Sequence, residues 1–156
     1  MIGTAVYRLL SESAQKVLET MFFIAPDGVS EEPGRPAGPL IAASLTFQGA
    51  PPGRFGIVVS EALGKTLAAN FLGLEDETRL RPPQIAEVVG ELTNMVSGAV
   101  LSELESNANF DIGAPHLACL GADDAGPDFS AGPATVCRFE FPNGELVFFF
   151  AFEETM

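Results

Sequence analysis

Two side chains three residues apart, Glu91 and Asn94, carry the most pointed chemistry in this sequence. A carboxylate can pair with a cation. A carboxamide has no useful protonation near neutral pH, so it is no general base, but it can hold a water molecule through its oxygen and its amide. Both residues lie in EVVGELTNMVSGAVLSELE, residues 87–105, with Glu87 four positions before Glu91 and Gly98 four after Asn94. At ~100° per residue, spacings of four, three and four stack Glu87, Glu91, Asn94 and Gly98 along one outward ridge of a helix. Opposite them Ile85, Val88, Val89, Leu92, Met95, Val96, Ala99 and Val100 form the apolar stripe of a helix packed on a core. Glu and Asn on such an outer face are ordinarily just solvated. Gly90 and Gly98 weigh against that, because a glycine inside a helix costs about 1 kcal/mol relative to alanine. Two in one helix ask for a reason, such as the close approach of another backbone.

The other reactive residue types are sparse. His116 is the sole histidine, which removes any scheme needing two, and beside Pro115 in a strand-like segment it reads as structural. Cys119 and Cys137 have no close-spaced partner, so neither a metal-site nor a redox spacing is present, and both read as buried free thiols. The GKT at residues 64–66 is no phosphate-binding loop: Val59 stands where the first glycine belongs, and no glycine-rich run precedes it.

The elements that must position the ridge follow from periodicity. Val6, Leu9, Leu10, Val17, Leu18, Met21 and Phe22 predict a first helix over residues 6–22, stopped by Pro26, and residues 27–39 (DGVSEEPGRPAGP) read as an exposed loop. Residues 40–48 alternate as a strand with one buried face, APPG at 50–53 turns the chain, and residues 54–59 return as its hairpin partner. Ser60 offers a hydroxyl to cap a second helix from Glu61 to its end at Gly73, with Leu63, Leu67, Phe71 and Leu74 as the core stripe. Lys65, Glu75, Asp76 and Glu77 are most simply solvated. Pro82 and Pro83 suit the opening turn of the long third helix, which runs to about residue 105 and ends by 107–109. Residues 110–120 read as one strand and 121–133 as a loop. The segment 135–141, an Asn143-Gly144 turn and the segment 145–152 form a hairpin. Phe148, Phe149, Phe150 and Phe152 place rings on both faces of the last strand, so helices or a second subunit must cover both, which makes a homodimer an expectation. The fold class is thus α/β of the α+β type, three main helices on a mostly antiparallel sheet.

The 156 residues fit one domain spanning 1–156, long enough to bury a core without disulfides or metal staples. The start shows no basic region followed by an apolar run, and no apolar stretch approaches the ~18 residues of a membrane span, so a cytoplasmic protein without membrane contact is expected. Eight basic and 21 acidic residues give a formal charge of −13. That charge repels phosphate backbones and anionic lipid, excluding nucleic acid as a partner class, and suits a cationic or metal-bearing protein surface.

On GELTNMVSGAVLSEL, residues 90–104, the sequence resembles the Glu-x-x-Asn helix of the CheC/CheX/FliY family of chemotaxis phosphatases. The single motif is similar to the CheX-like branch. In the first helix Glu12 and Gln15 come nearest to a second copy, and Gln15 is not Asn. Two departures are visible: Glu87 stands where the family often has Asp or Ser, and Pro115 sits somewhat closer to Asn94 than the family proline. The resemblance implies a CheC-like fold and a phosphorylated CheY-type response regulator as substrate, bearing its phosphoryl group on an aspartate. It implies no cofactor of the chain's own, with Mg²⁺ carried by the regulator. By the same resemblance Glu91 would pair with the regulator's active-site lysine and Asn94 would align the attacking water, while Glu87 and Gly98 would meet the partner. Two other classes of function stay open: a non-catalytic docking module for a regulator or flagellar switch component, and a sensor whose phenylalanine-rich interior accepts a small apolar ligand.

Overall fold

The structure, a computed structural model, describes residues 2–32, 34–49, 51–104, 110–124 and 134–153. Helix α1 is Ile2–Met21, in which Leu10, Ala14 and Leu18 recur every four residues and are fully buried, followed by buried Phe22. It begins earlier than the apolar stripe required. It ends where the backbone amides of Phe22 and Ile24 both donate to the Leu18 carbonyl, at 3.1 and 3.2 Å, with Phe23 between them at φ 55°. This is the six-to-one closure of a helix C-terminus, a position that ordinarily goes to glycine. Met21, expected in the core, is 43% exposed.

Strand β1, Gly28–Ser30, lies inside the segment expected to be loop, being too short to show an alternation. Strands β2 (Leu40–Gln48) and β3 (Gly53–Ser60) form the expected hairpin. Helix α2, Glu61–Leu72, starts without the expected hydroxyl cap. The Ser60 hydroxyl instead accepts the Glu145 amide at 3.3 Å, and the Glu61 amide donates to the Pro39 carbonyl at 3.0 Å. Gly73, left-handed at φ 70°, ends the helix. Leu63 and Leu67 are buried, but Leu74 follows that turn, loses the helical phase and is exposed, while Phe71 is half-buried. A short 3-10 turn over Glu77–Arg79 leads to helix α3, Pro82–Leu104.

The single strand expected over residues 110–120 is two, β4 (Asp111–Ile112) and β5 (His116–Leu120). Both pair antiparallel with β2, Ile112 opposite Phe47 and His116 opposite Ser44. Pro115 lacks the amide that a continuous ladder would need, and the break falls there. Strands β6 (Thr135–Phe141) and β7 (Gly144–Phe152) make the C-terminal hairpin. Among the described residues the sheet has seven strands, antiparallel throughout and ordered β1-β6-β7-β3-β2, with β4 and β5 end to end along the far edge of β2. The expected helix end at 107–109, Ala50 in the first turn and most of the 121–133 loop lie outside the described residues.

All three helices pack on one face, where Phe47, Phe55, Phe139, Phe148 and Phe150 interlock, for example Phe47 on Phe150 at 5.6 Å between ring centroids. The opposite face is also buried, with Val147 and Phe149 inaccessible and a small second cluster of Leu40, Ala42 and Val58. No helix covers that face among the described residues. Part of it lies under the segment between β1 and β2, which is pinned by Arg138 donating to the Gly34 carbonyl at 3.0 Å. Arg35 reaches across to the carbonyls of Gly121 and Asp124.

Candidate active site on helix α3

Helix α3 lies across β2, β3 and β5 and packs against both α1 and α2. Its 23 residues span ~35 Å at 1.5 Å per residue, the width of the domain's face. Because neighbours flank it on two sides, its buried surface is wider than the apolar stripe alone: Gly90, Thr93 and Ser97 are buried, whereas Met95 and Ala99 are only half-buried. What reaches outward is a narrow strip. Glu87 and Glu91 are exposed, and Asn94 and Gly98 are half-buried, so the structure brings together on one ridge the four residues that spacing had aligned.

Three residues of the ridge, Glu87, Glu91 and Asn94, lie on the floor of a groove of about 410 Å³, and Gly98 lies beyond its lining. One wall is Phe71 and Leu72 from the end of α2, and the other is Pro115 and Leu117 at the start of β5. Among the described residues, neither the Glu91 carboxylate nor the Asn94 carboxamide has a hydrogen-bond or ion-pair partner. A half-buried carboxamide without a protein partner keeps both its donor and its acceptor available for a water or an incoming group. Beneath it the backbone is firmly held. The buried Ser97 hydroxyl donates to the Asn94 carbonyl at 3.1 Å, and the buried Thr93 hydroxyl donates to the Val89 carbonyl at 2.8 Å, so both are satisfied inside the helix.

The two glycines have different explanations. A methyl group on Gly90 would stand 2.9 Å from Leu117 Cδ2 and 3.4 Å from Pro115 Cγ. The close approach at Gly90 therefore comes from the chain's own side chains, not from another backbone. At Gly98 the nearest atom among the described residues would be Ile112 Cδ1 at 4.0 Å, so none of them needs the room this glycine leaves, and the ridge is low beside Asn94.

The remaining candidates stay apart from the groove floor. His116 and Cys119 are exposed on β5, an edge strand, so the expectation of two buried thiols holds only for Cys137. Cys137 is enclosed in β6, where burial, aided by the nearby Glu31 carboxylate, pushes its thiol up to about 12. Lys65 lines a separate cavity of about 630 Å³ at the start of α2 with Glu61, Glu77 and Glu145. Among the described residues no group of three or more His, Cys, Asp or Glu is placed to hold a metal, and no helix is long and apolar enough to cross a membrane. Phe71, Leu72 and Leu117 were not legible as site residues, since each is some twenty positions from the ridge. The one local signal was the surplus of apolar residues in FLGL at the end of α2.

Fold and groove together define a protein with helices on one face of an antiparallel sheet that offers, on the packed helix α3, a carboxylate and a carboxamide unpaired among the described residues. The profile of the family described as "Chemotaxis phosphatase CheX" matches residues 41–121, just over half of the chain and including the whole ridge. The chain belongs to that family. No curated protein matches it in sequence. Among solved structures, CheX of Desulfovibrio desulfuricans superposes with TM-score 0.76 at 20% identity, covering 96% of this chain and 99% of that one. CheX of Vibrio vulnificus superposes with TM-score 0.76 at 22% identity, covering 95% and 96%. A chain of the CheX–CheY–BeF3–Mg²⁺ complex of Borrelia burgdorferi gives 0.68 at 17% identity over 94% and 97%.

Proposed function

We propose that this chain hydrolyses the phospho-aspartate of a CheY-type response regulator, with Asn94 and Glu91 as its catalytic pair. The observation that carries this reading is the placement of Asn94 beside Glu91, neither side chain partnered among the described residues, on a helix at the floor of an open groove. Membership of a phosphatase family and the likeness to a CheX chain solved with CheY, BeF3 and Mg²⁺ support it.

In this mechanism a water held by the Asn94 carboxamide attacks phosphorus in line with the aspartyl oxygen. The P–O bond to the aspartate breaks, the regulator's carboxylate leaves with the electron pair, and the water's proton passes to the released phosphate or to solvent. The transition state is loose, so placing the water and stabilising charge carry most of the rate, and no general base is needed. Mg²⁺ belongs to the regulator and offsets charge on the phosphoryl oxygens there. Glu91 pairs with the regulator's active-site lysine and so fixes α3 against the phosphoryl group, with Glu87 extending the acidic edge and Gly98 letting the partner's backbone approach. A helix anchored on two neighbours and a sheet suits this task, because a water-positioning group entering another protein's site must have little freedom.

The test follows loss of radiolabelled phosphate from purified CheY-type regulators. The wild-type chain should shorten the phosphate lifetime. Asn94→Ala should abolish most of that effect, by about 100-fold or more, while binding survives, and Glu91→Ala should weaken both. An unchanged lifetime with measurable binding would remove the enzymatic reading and leave a docking module.

A further inference from the structure

Phe23 is 70% exposed and, among the described residues, is the only non-glycine residue at positive φ, at 55°. The side-chain carbon of an L-residue crowds the following carbonyl in this conformation, which is why glycine usually ends helices this way. The two backbone bonds that close α1 onto the Leu18 carbonyl would form equally well with glycine there. The neighbouring Phe22 does the packing: it is fully buried and stacks on Phe71 with centroids 5.0 Å apart. The Phe23 ring is thus held where the backbone disfavours it and the core does not use it, and backbone strain of this kind collects where a surface has work to do.

Its position says what that work is. Phe71 is a wall of the groove that contains Glu91 and Asn94, and the Asn70 amide donates to the Phe22 carbonyl at 2.9 Å, joining the ends of α1 and α2. Around this junction stand Met21, Phe23, Leu72 and Leu74, exposed by 43, 70, 50 and 44%. They stand as an apolar shoulder at the joined ends of α1 and α2, beside the Phe71–Leu72 wall of the groove, and the same stretches of chain carry the exposed carboxylates of Glu19, Glu75 and Asp76, with Glu87 on the groove floor. A stable protein partner covers roughly 800 Å² per side, far more than the mouth of such a groove, so a protein whose phosphoryl group reaches Asn94 must also lie on the walls.

Resting on the phosphatase reading above, we infer that this shoulder is the docking platform for the phosphorylated regulator. Phe23 is the anchor, inserted into an apolar patch of the regulator that is bordered by basic side chains. Phenylalanine and methionine are enriched at the buried centre of protein interfaces relative to the rest of the surface.

The test uses Phe23→Gly and Phe23→Asn, both of which tolerate the left-handed backbone. Phe23→Gly should raise Tm by about 2–4 °C. Both variants should raise KM for phosphorylated regulator, and Kd for the same regulator loaded with Mg²⁺ and beryllofluoride, by about tenfold, with kcat at saturation unchanged. A ring with a purely structural role would instead lower Tm on removal. Higher Tm with unchanged Kd would overturn the platform. So would a native mass that falls from dimer to monomer in Phe23→Gly, since the shoulder would then bind a second copy of this chain. A wild-type chain that binds regulator without shortening phosphate lifetime would sink the phosphatase reading alone, and the effect of Phe23→Gly on Kd would still decide the platform.

Discussion

At the scale of single residues, Gly98 separates the demands of the fold from those of the surface. Its added methyl group would meet nothing closer than 4.0 Å among the described residues, so Gly98→Ala should gain most of the intrinsic helix preference, about 0.5–1 kcal/mol, read as a higher midpoint in urea unfolding. The same methyl would raise the ridge beside Asn94, and the expected companion result is a several-fold loss of regulator affinity. Stabilisation without any loss of affinity would show that the partner's backbone does not come close at this position. Gly90 behaves differently despite lying on the same helix. There the methyl presses on Leu117, and gain in helix preference is offset by displacing a groove wall.

At the scale of elements, the ridge was legible because it depends on one helical period and on nothing else. Glu87, Glu91, Asn94 and Gly98 point outward together whatever α3 packs against, and β2 matched its expected limits because both ends are marked by turns. The groove was not legible, since its walls come from α2 and β5 and meet α3 only through the tertiary fold. The misplacements have the same origin. The Ser60 hydroxyl accepts the Glu145 amide of a strand distant in sequence, Cys119 became exposed because β5 is an edge strand, and Met21 and Leu74 left the core where their helices closed. The junction of α1 with α2 gives a measurable element-scale expectation. Asn70→Ala removes the bond to the Phe22 carbonyl and should destabilise by about 1 kcal/mol in chemical denaturation, with amide exchange accelerated at the end of α1 and little change in the sheet.

At the scale of the whole molecule, a formal charge of −13 on 156 residues sets a background of self-repulsion. The ion pairs seen among the described residues include Arg79 with Asp76, exposed at 3.9 Å, and the less exposed Arg138 with Glu145. Salt should therefore stabilise the fold by screening: Tm is expected to rise between ~10 mM and ~300 mM NaCl, as the screening length falls from about 30 Å to below 8 Å. A Tm that falls with salt would mean that the favourable pairs, such as Arg138 with Glu145 at 2.6 Å, outweigh the excess of carboxylates. The groove's construction has a consequence for how such proteins diversify. Its floor belongs to the central helix and is constrained by the core, but its rims end in exposed leucines, Leu72 on one side and Leu117 on the other. Substitutions at those exposed rims disturb the sheet-facing core little, so the set of partners admitted could drift between duplicated genes while the residues of the floor and the scaffold are inherited unchanged.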